Sequence, residues 1–188
     1  MFLLFNHFNQ SVMRIGIDAR FYGPSSGKGI GRYTQQLIAN LEKIDYQNEY
    51  FIFLRKENFD LYLPQNKRFH KILANYKWYS FKEQVYFPFK LYKLKLDLVH
   101  FLHFNIPLLY FRKFIVTIHD LIHQKSSQES STLPLFVFFL KKMAYFVVIK
   151  SAIKRSKKII TVSYFSKEEI VKYYSVKPNK IFVTYESN

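Results

Sequence analysis

The sequence predicts an α/β fold with a mostly parallel, doubly wound sheet, and three observations carry that expectation. Short apolar runs rich in valine, isoleucine and phenylalanine alternate with helical patterns along the whole chain. Four of the five glycines, Gly23, Gly27, Gly29 and Gly31, crowd into the handover from the first such run to the first helical pattern. The 188 residues are 49% apolar, enough to bury one proper core, and carry no internal repeat or low-complexity linker.

Taken in order, Arg14 to Asp18 reads as the first strand, ahead of a loop of small residues. Ile30, Tyr33, Leu37, Ile38 and Leu41 recur at helical spacing, so Gly29 to Ile44 is expected as an amphipathic helix packed on the sheet. Strands follow over Tyr50 to Leu54 and Phe69 to Ala74, then a helix over Tyr79 to Leu96, kinked at Pro88 because proline lacks a donor and crowds the preceding turn. Asp97 to Leu102 and Phe114 to His119 read as buried parallel strands, the second closed by a polar residue at its carboxyl end. Ligands of open α/β sheets bind beyond such ends. On the first of these strands His100 and His103 are expected to face the same side, lining the core or a cleft. A polar loop, Lys125 to Thr132, leads into a long helix from Leu133 to about Arg155. Ile159 to Val162 makes the next strand, Ser166 and Glu169 suggest a capping box opening a helix to about Tyr174, and Ile181 to Tyr185 closes the set.

Composition narrows the chemistry. With no cysteine there is no disulfide framework and no thiolate metal site. The six histidines show no H-x-x-x-H or HExxH spacing on a credible helix. Residues 1–12 lack the basic region and cleavage site of a signal peptide and read as an extension, with Met13 a plausible start. No run reaches the roughly 20 apolar residues that span a bilayer, so a cytoplasmic location is expected. The net charge of +16 favours anionic partners. The long helix adds to this: Lys150, Lys154 and Lys158 fall on one row, and no acidic residue occurs between Glu129 and Glu168. That pattern suits a core helix with a basic end, or an interfacial element on the inner face of an anionic membrane.

The glycine-rich handover is a natural anion site, since helix-start N–H groups carry partial positive charge and glycine lets a ligand approach. Spacing excludes two common machines. A P-loop needs G-x-x-x-x-G-K-[ST], but Gly23 to Gly29 has one residue too few between glycines and no hydroxyl after Lys28. A dinucleotide fingerprint starting at Gly27 would put Arg32 where the third glycine belongs, and it starts about nine residues after the strand rather than directly.

A third reading is a resemblance. IGIDAR with its glycine-rich loop and GIGRYTQQLIANL, then DLVH, VTIHDLI, and KKIITVSYFSKEEIVKYYSVKPNKIFVTYESN occur in this order from Met13 onward. The set resembles the N-terminal half of a group 1 (family 4) glycosyltransferase. The resemblance implies a GT-B enzyme in which residues 13–188 form a Rossmann-like acceptor-side domain. The donor-binding domain would lie outside this chain, because YESN falls where the family's interdomain linker usually begins.

By that resemblance, Gly29 and Gly31 present backbone N–H groups to the donor diphosphate without a metal or other cofactor. Arg32, Tyr33 and His100 lie on the acceptor side. His119, in the HDL motif, stands beside the transferred sugar as an orienting, hydrogen-bonding group in the catalytic centre. His123 is expected in the loop that follows. The implied reaction is hexosyl transfer from a nucleoside-diphosphate sugar to a glycan or glycolipid hydroxyl with retention of configuration, completed by a separate donor-binding half. The alternative reading is a non-catalytic basic module for anionic lipid or nucleic acid, since aromatics interleave with lysine from Lys77 to Lys95. No recognised nucleic-acid motif supports the latter partner. A nicotinamide-dependent enzyme is disfavoured by the misplaced glycines.

Overall fold

The computed structural model describes residues 11–24, 28–121 and 135–185. His123, Gly27 and the Lys125 to Thr132 loop lie outside the described residues. Seven strands form one sheet, β1 (Arg14–Asp18), β2 (Glu49–Leu54), β3 (Phe69–Leu73), β4 (Leu98–Phe101), β5 (Phe114–Ile118), β6 (Ile159–Thr161) and β7 (Ile181–Val183). Their order is β3-β2-β1-β4-β5-β6-β7, and every neighbouring pair is parallel. The helices are α1 (Lys28–Ile44), α2 (Phe81–Lys93), α3 (Leu135–Arg155) and α4 (Tyr164–Tyr174). The α/β, Rossmann-like expectation therefore holds, with the sheet wholly parallel.

Alternation along the strands builds a core on each face. Ile17, paired in register with Ile52, joins Leu54 and Tyr50 in packing against Ile38 of α1. On the other face Val99, Phe101, Val116 and Ile159 pack with Phe87 and Leu91 of α2, Ile149 and Ile153 of α3, and Ile170 of α4. Gly16 is needed where it stands, because a Cβ there would come within 2.7 Å of the Leu96 side chain. The chain runs outward through β2 and β3, then returns along α2 to place β4 on the far side of β1. This makes β1 and β4 the point where strand order reverses.

Element ends differ from expectation in instructive places. α2 starts at Phe81, capped by Ser80, whose Oγ accepts from the Glu83 N–H at 3.1 Å. It runs unbroken through the buried Pro88 to Lys93, so the helix is shorter than expected and continuous. α4 opens at Tyr164 with Ser163 as its cap, accepting from the Ser166 N–H at 3.1 Å, so the cap lies one turn before the expected Ser166. Ser166 is buried inside the first turn instead, and its hydroxyl donates to the His119 carbonyl at 3.1 Å. β4 ends at Phe101, which leaves His103 in the turn beyond the strand, and residues three apart on a strand face opposite sides, so the expectation that His100 and His103 share one side fails.

Candidate functional site

The carboxyl ends of β1, β4 and β5 and the first turn of α1 meet at one edge of the sheet. β1 ends in a buried ionic group. Arg20, fully buried, donates to Asp18 from Nε at 2.7 Å and Nη2 at 2.8 Å, and to Glu83 of α2 from Nη1 at 2.7 Å. Burial pushes the Glu83 carboxyl up, and Arg20 and Asn105 pull against it. For Arg20, burial works against the charge but its two carboxylate partners outweigh it, so the guanidinium stays ionised. Asn105 Nδ2 and the Tyr79 N–H also donate to Glu83, at 2.9 and 2.7 Å. The group ties the loop after β1 to the start of α2 and the turn after β4.

An aromatic platform covers this knot. Phe21 stacks on Trp78 with ring centroids 4.0 Å apart, His103 lies 5.1 Å from Phe21, and the Arg20 guanidinium sits 4.2 Å from the Trp78 ring. His103 Nδ1 accepts from the Asn105 N–H at 3.2 Å, so its proton is on Nε2.

The glycines divide by environment. Gly23 has φ +95°, a backbone conformation that side chains rarely adopt. Gly31 is buried, and a Cβ there would lie 2.1 Å from the Gly23 carbonyl oxygen, so it permits contact between the helix start and its own loop. Gly29 is exposed, with nothing within 4 Å of a Cβ. Of the two expected phosphate-side glycines, Gly29 borders open space and Gly31 packs against protein. Arg32, beside them, is exposed.

Tyr33 turns inward from α1 and joins three residues from the strand ends. Its hydroxyl is 3.5 Å from Thr117 Oγ1, and its ring meets His119 edge-on at 4.9 Å. His100 Nε2 is 2.8 Å from the same Thr117 oxygen. His100 is buried, and burial, reinforced by His119, pushes its imidazole down to about 3, so it is neutral at physiological pH. His119 is half-buried, and its Nε2 donates to the Leu102 carbonyl at 3.2 Å. In the neutral ring that leaves Nδ1 as the acceptor nitrogen. Tyr33, His100 and His119 are thus brought together, with His100 behind the others, while Arg32 stands apart on the surface.

Thr117 is the residue that links Tyr33 to His100, and it does not appear among the residues singled out from sequence. The signal was present: in FIVTIH it is a hydroxyl within an apolar run, two positions before His119 and therefore on the same face. Among the described residues, no three histidine, aspartate or glutamate side chains converge on a common metal position.

The sequence pattern of Glycosyltransferase Family 4 matches residues 27–186. Over 85 residues the chain is 36% identical to the O-antigen chain mannosyltransferase RfbU of Salmonella typhimurium strain LT2. The aligned part is 45% of this chain and 21% of that relative, so the likeness spans about a fifth of the relative's length. With the family pattern covering most of the residues that build this parallel sheet and its polar edge, the chain belongs to glycosyltransferase family 4.

Proposed function

We propose that the chain supplies the acceptor side of a retaining hexosyltransferase, which moves a sugar from a nucleoside-diphosphate donor to a hydroxyl of a glycan or glycolipid. A donor-binding half completes the enzyme. Family membership supports sugar transfer as the reaction class. The observation that carries the assignment of this site is the convergence of Tyr33, Thr117 and His119 beside the exposed Gly29 at the start of α1.

In this reading the diphosphate lies against the N–H groups of the first turn of α1, whose partial positive charge suits a leaving group that gains negative charge in the transition state. His119, held by Leu102 through Nε2, stands beside the transferred sugar and acceptor as an orienting, hydrogen-bonding group. Tyr33 meets the edge of its ring, and neutral His100 and the Tyr33 hydroxyl flank Thr117. The departing phosphate helps take the acceptor proton, so the protein's main electrostatic task is stabilising that phosphate.

The test is transfer from a panel of labelled nucleoside-diphosphate hexoses to oligosaccharide and lipid acceptors, by this chain with a family 4 donor-binding half supplied in trans. Transfer that needs both parts and is lost with His119→Ala supports the assignment. If the reconstituted pair neither binds nor turns over any donor, the assignment fails.

A further inference from the structure

Because every neighbouring pair of strands is parallel, the sheet has two unlike edges. The carboxyl edge holds Tyr33, Thr117 and His119. The amino edge lies the length of β5 away, about 15 Å.

Two adjoining hollows open on that amino edge. The first, about 530 Å³, lies between the segments that lead into β4, β5 and β6, and its lining includes Phe111, Phe114, Arg112, Lys113, Arg155 and Lys157. The second, about 410 Å³, lies between the carboxyl end of α3 and the segment joining α4 to β7. Lys154, Lys157, Lys158, Lys177 and Lys180 all line it. Lys157 belongs to both hollows. Against these cations Asp97 is the one carboxylate in either lining, and its Oδ2 already accepts from the Arg14 N–H at 2.8 Å.

Internal duties account for only part of this charge. Lys180 donates to the Ile153 and Lys154 carbonyls at 2.7 and 3.0 Å, which satisfies the carboxyl end of α3. Arg155 donates to the carbonyls of Leu108 and Tyr110. Lys113, Lys154, Lys157 and Lys177 have no such role: they are exposed, and among the described residues their ammonium groups meet no hydrogen-bonding or carboxylate partner. Their crowding is felt, because burial and the Lys157 charge together pull the Lys180 ammonium below its ordinary value. An anion in the second hollow relieves that repulsion.

The two hollows offer different chemistry. The second presents lysine ammonium groups, which bind phosphate as point charges, and its volume is that of a small-molecule site rather than of a single ion. The first adds the ring of Phe111, 73% exposed, with the Arg155 guanidinium 4.8 Å from its centroid. An exposed ring beside cations suits stacking by a nucleobase. Linked phosphates joined to a flat ring system make up a nucleoside polyphosphate.

We propose that the amino edge of the sheet binds a nucleoside polyphosphate, with its phosphates among Lys154, Lys157, Lys177 and Lys180 and its base against Phe111. This site is separate from the polar cluster at the carboxyl edge and does not depend on the sugar-transfer reading.

Isothermal titration calorimetry of the full chain with ATP, tripolyphosphate and orthophosphate, at about 0.15 M salt, tests it. ATP is expected to bind several-fold more tightly than tripolyphosphate, and orthophosphate more weakly than either. Lys157→Ala with Lys177→Ala, its fold checked by thermal melting, weakens ATP and tripolyphosphate about tenfold or more. Lys43→Ala with Lys67→Ala removes the same charge from exposed positions ahead of β2 and β3, and changes binding by no more than about twofold. Phe111→Ala removes the advantage of ATP and leaves tripolyphosphate as it was.

ATP binding that survives the Lys157 and Lys177 substitutions overturns the proposal, as does equal weakening by the two lysine pairs, which would mark a response to net charge alone. ATP no tighter than tripolyphosphate overturns the base site. A single-stranded oligothymidine that binds more tightly than ATP and loses that binding with Lys157 and Lys177 also overturns it, because the edge would then serve an extended nucleic acid.

Discussion

Arg20 and Glu83 lie 63 residues apart in sequence, yet their side chains meet at 2.7 Å with neither exposed to solvent. Asp18 takes the other side of the same guanidinium, so one cation is shared by two buried carboxylates at the end of β1. Removing the cation leaves both carboxylates buried without compensation, which costs about 3–5 kcal/mol. Arg20→Met is therefore expected to lower the urea midpoint sharply. Glu83→Gln, which leaves the Asp18 contact in place, costs less, about 1–2 kcal/mol. Equal midpoints for Arg20→Met and the unmodified chain would show that the ionic group does not hold α2 to β1.

Gly29 and Gly31 sit two residues apart in the same helical turn and answer differently to one methyl group. At Gly31 a Cβ would lie 2.1 Å from a backbone oxygen, so Gly31→Ala must push the helix start away from its loop, at about 1–3 kcal/mol. At Gly29 the space is open, and Gly29→Ala changes stability by no more than about 0.5 kcal/mol. Thermal unfolding of the two variants separates them, and a Gly31→Ala protein as stable as Gly29→Ala would contradict the packing. If Gly29 faces the diphosphate, its variant weakens donor binding in the reconstituted enzyme while melting normally.

Local sequence carried the sheet well and its edge less well. β1 and β5 were legible because each is a short apolar run whose neighbours break the pattern, and α1 because Ile38 and Leu41 repeat at helical spacing. The cap of α4 was misplaced because Ser163 and Ser166 both have capping chemistry and Glu169 completes a box only with the second. The choice is made by the His119 carbonyl, 47 residues away, which engages the Ser166 hydroxyl. The stack of Phe21 on Trp78 and the Arg20–Glu83 pair were illegible for the same reason. Each joins the β1–α1 loop to the start of α2 across more than 50 residues, and no local pattern records that meeting.

His100 gives the domain a pH dependence of defined sign. Burial lowers its folded-state value to about 3 from an ordinary 6.5. As pH falls below 6.5 the unfolded chain takes up a proton there and the folded chain does not. The stabilisation is complete above 6.5 and is lost progressively down to about pH 3, amounting to a few kcal/mol. Urea midpoints over that window should fall with pH, and His100→Leu should flatten the curve. In NMR the His100 ring is expected to show no titration above about pH 4. A midpoint near 6.5 for that ring would rule out its burial behind Thr117.

The polar cluster can be tested residue by residue, because its members act in different ways. In the proposed function His119 is the member that touches the substrate, so His119→Ala is expected to lower kcat by about 100-fold in the reconstituted transferase, within the range typical of a positioned polar group. His119→Gln keeps a donor for the Leu102 carbonyl and should recover part of that loss. Tyr33→Phe removes the 3.5 Å contact to Thr117 and keeps the ring against His119, so its effect is expected to stay within about tenfold. Thr117→Val cuts the link to both Tyr33 and the buried His100, so it lets the edge of the site shift without removing any group from the substrate. Its signature is a fall in kcat larger than that of Tyr33→Phe, with KM for the donor unchanged. If Thr117→Val instead matched the unmodified chain while Tyr33→Phe was severely impaired, Tyr33 would have to act on the substrate directly and not through Thr117.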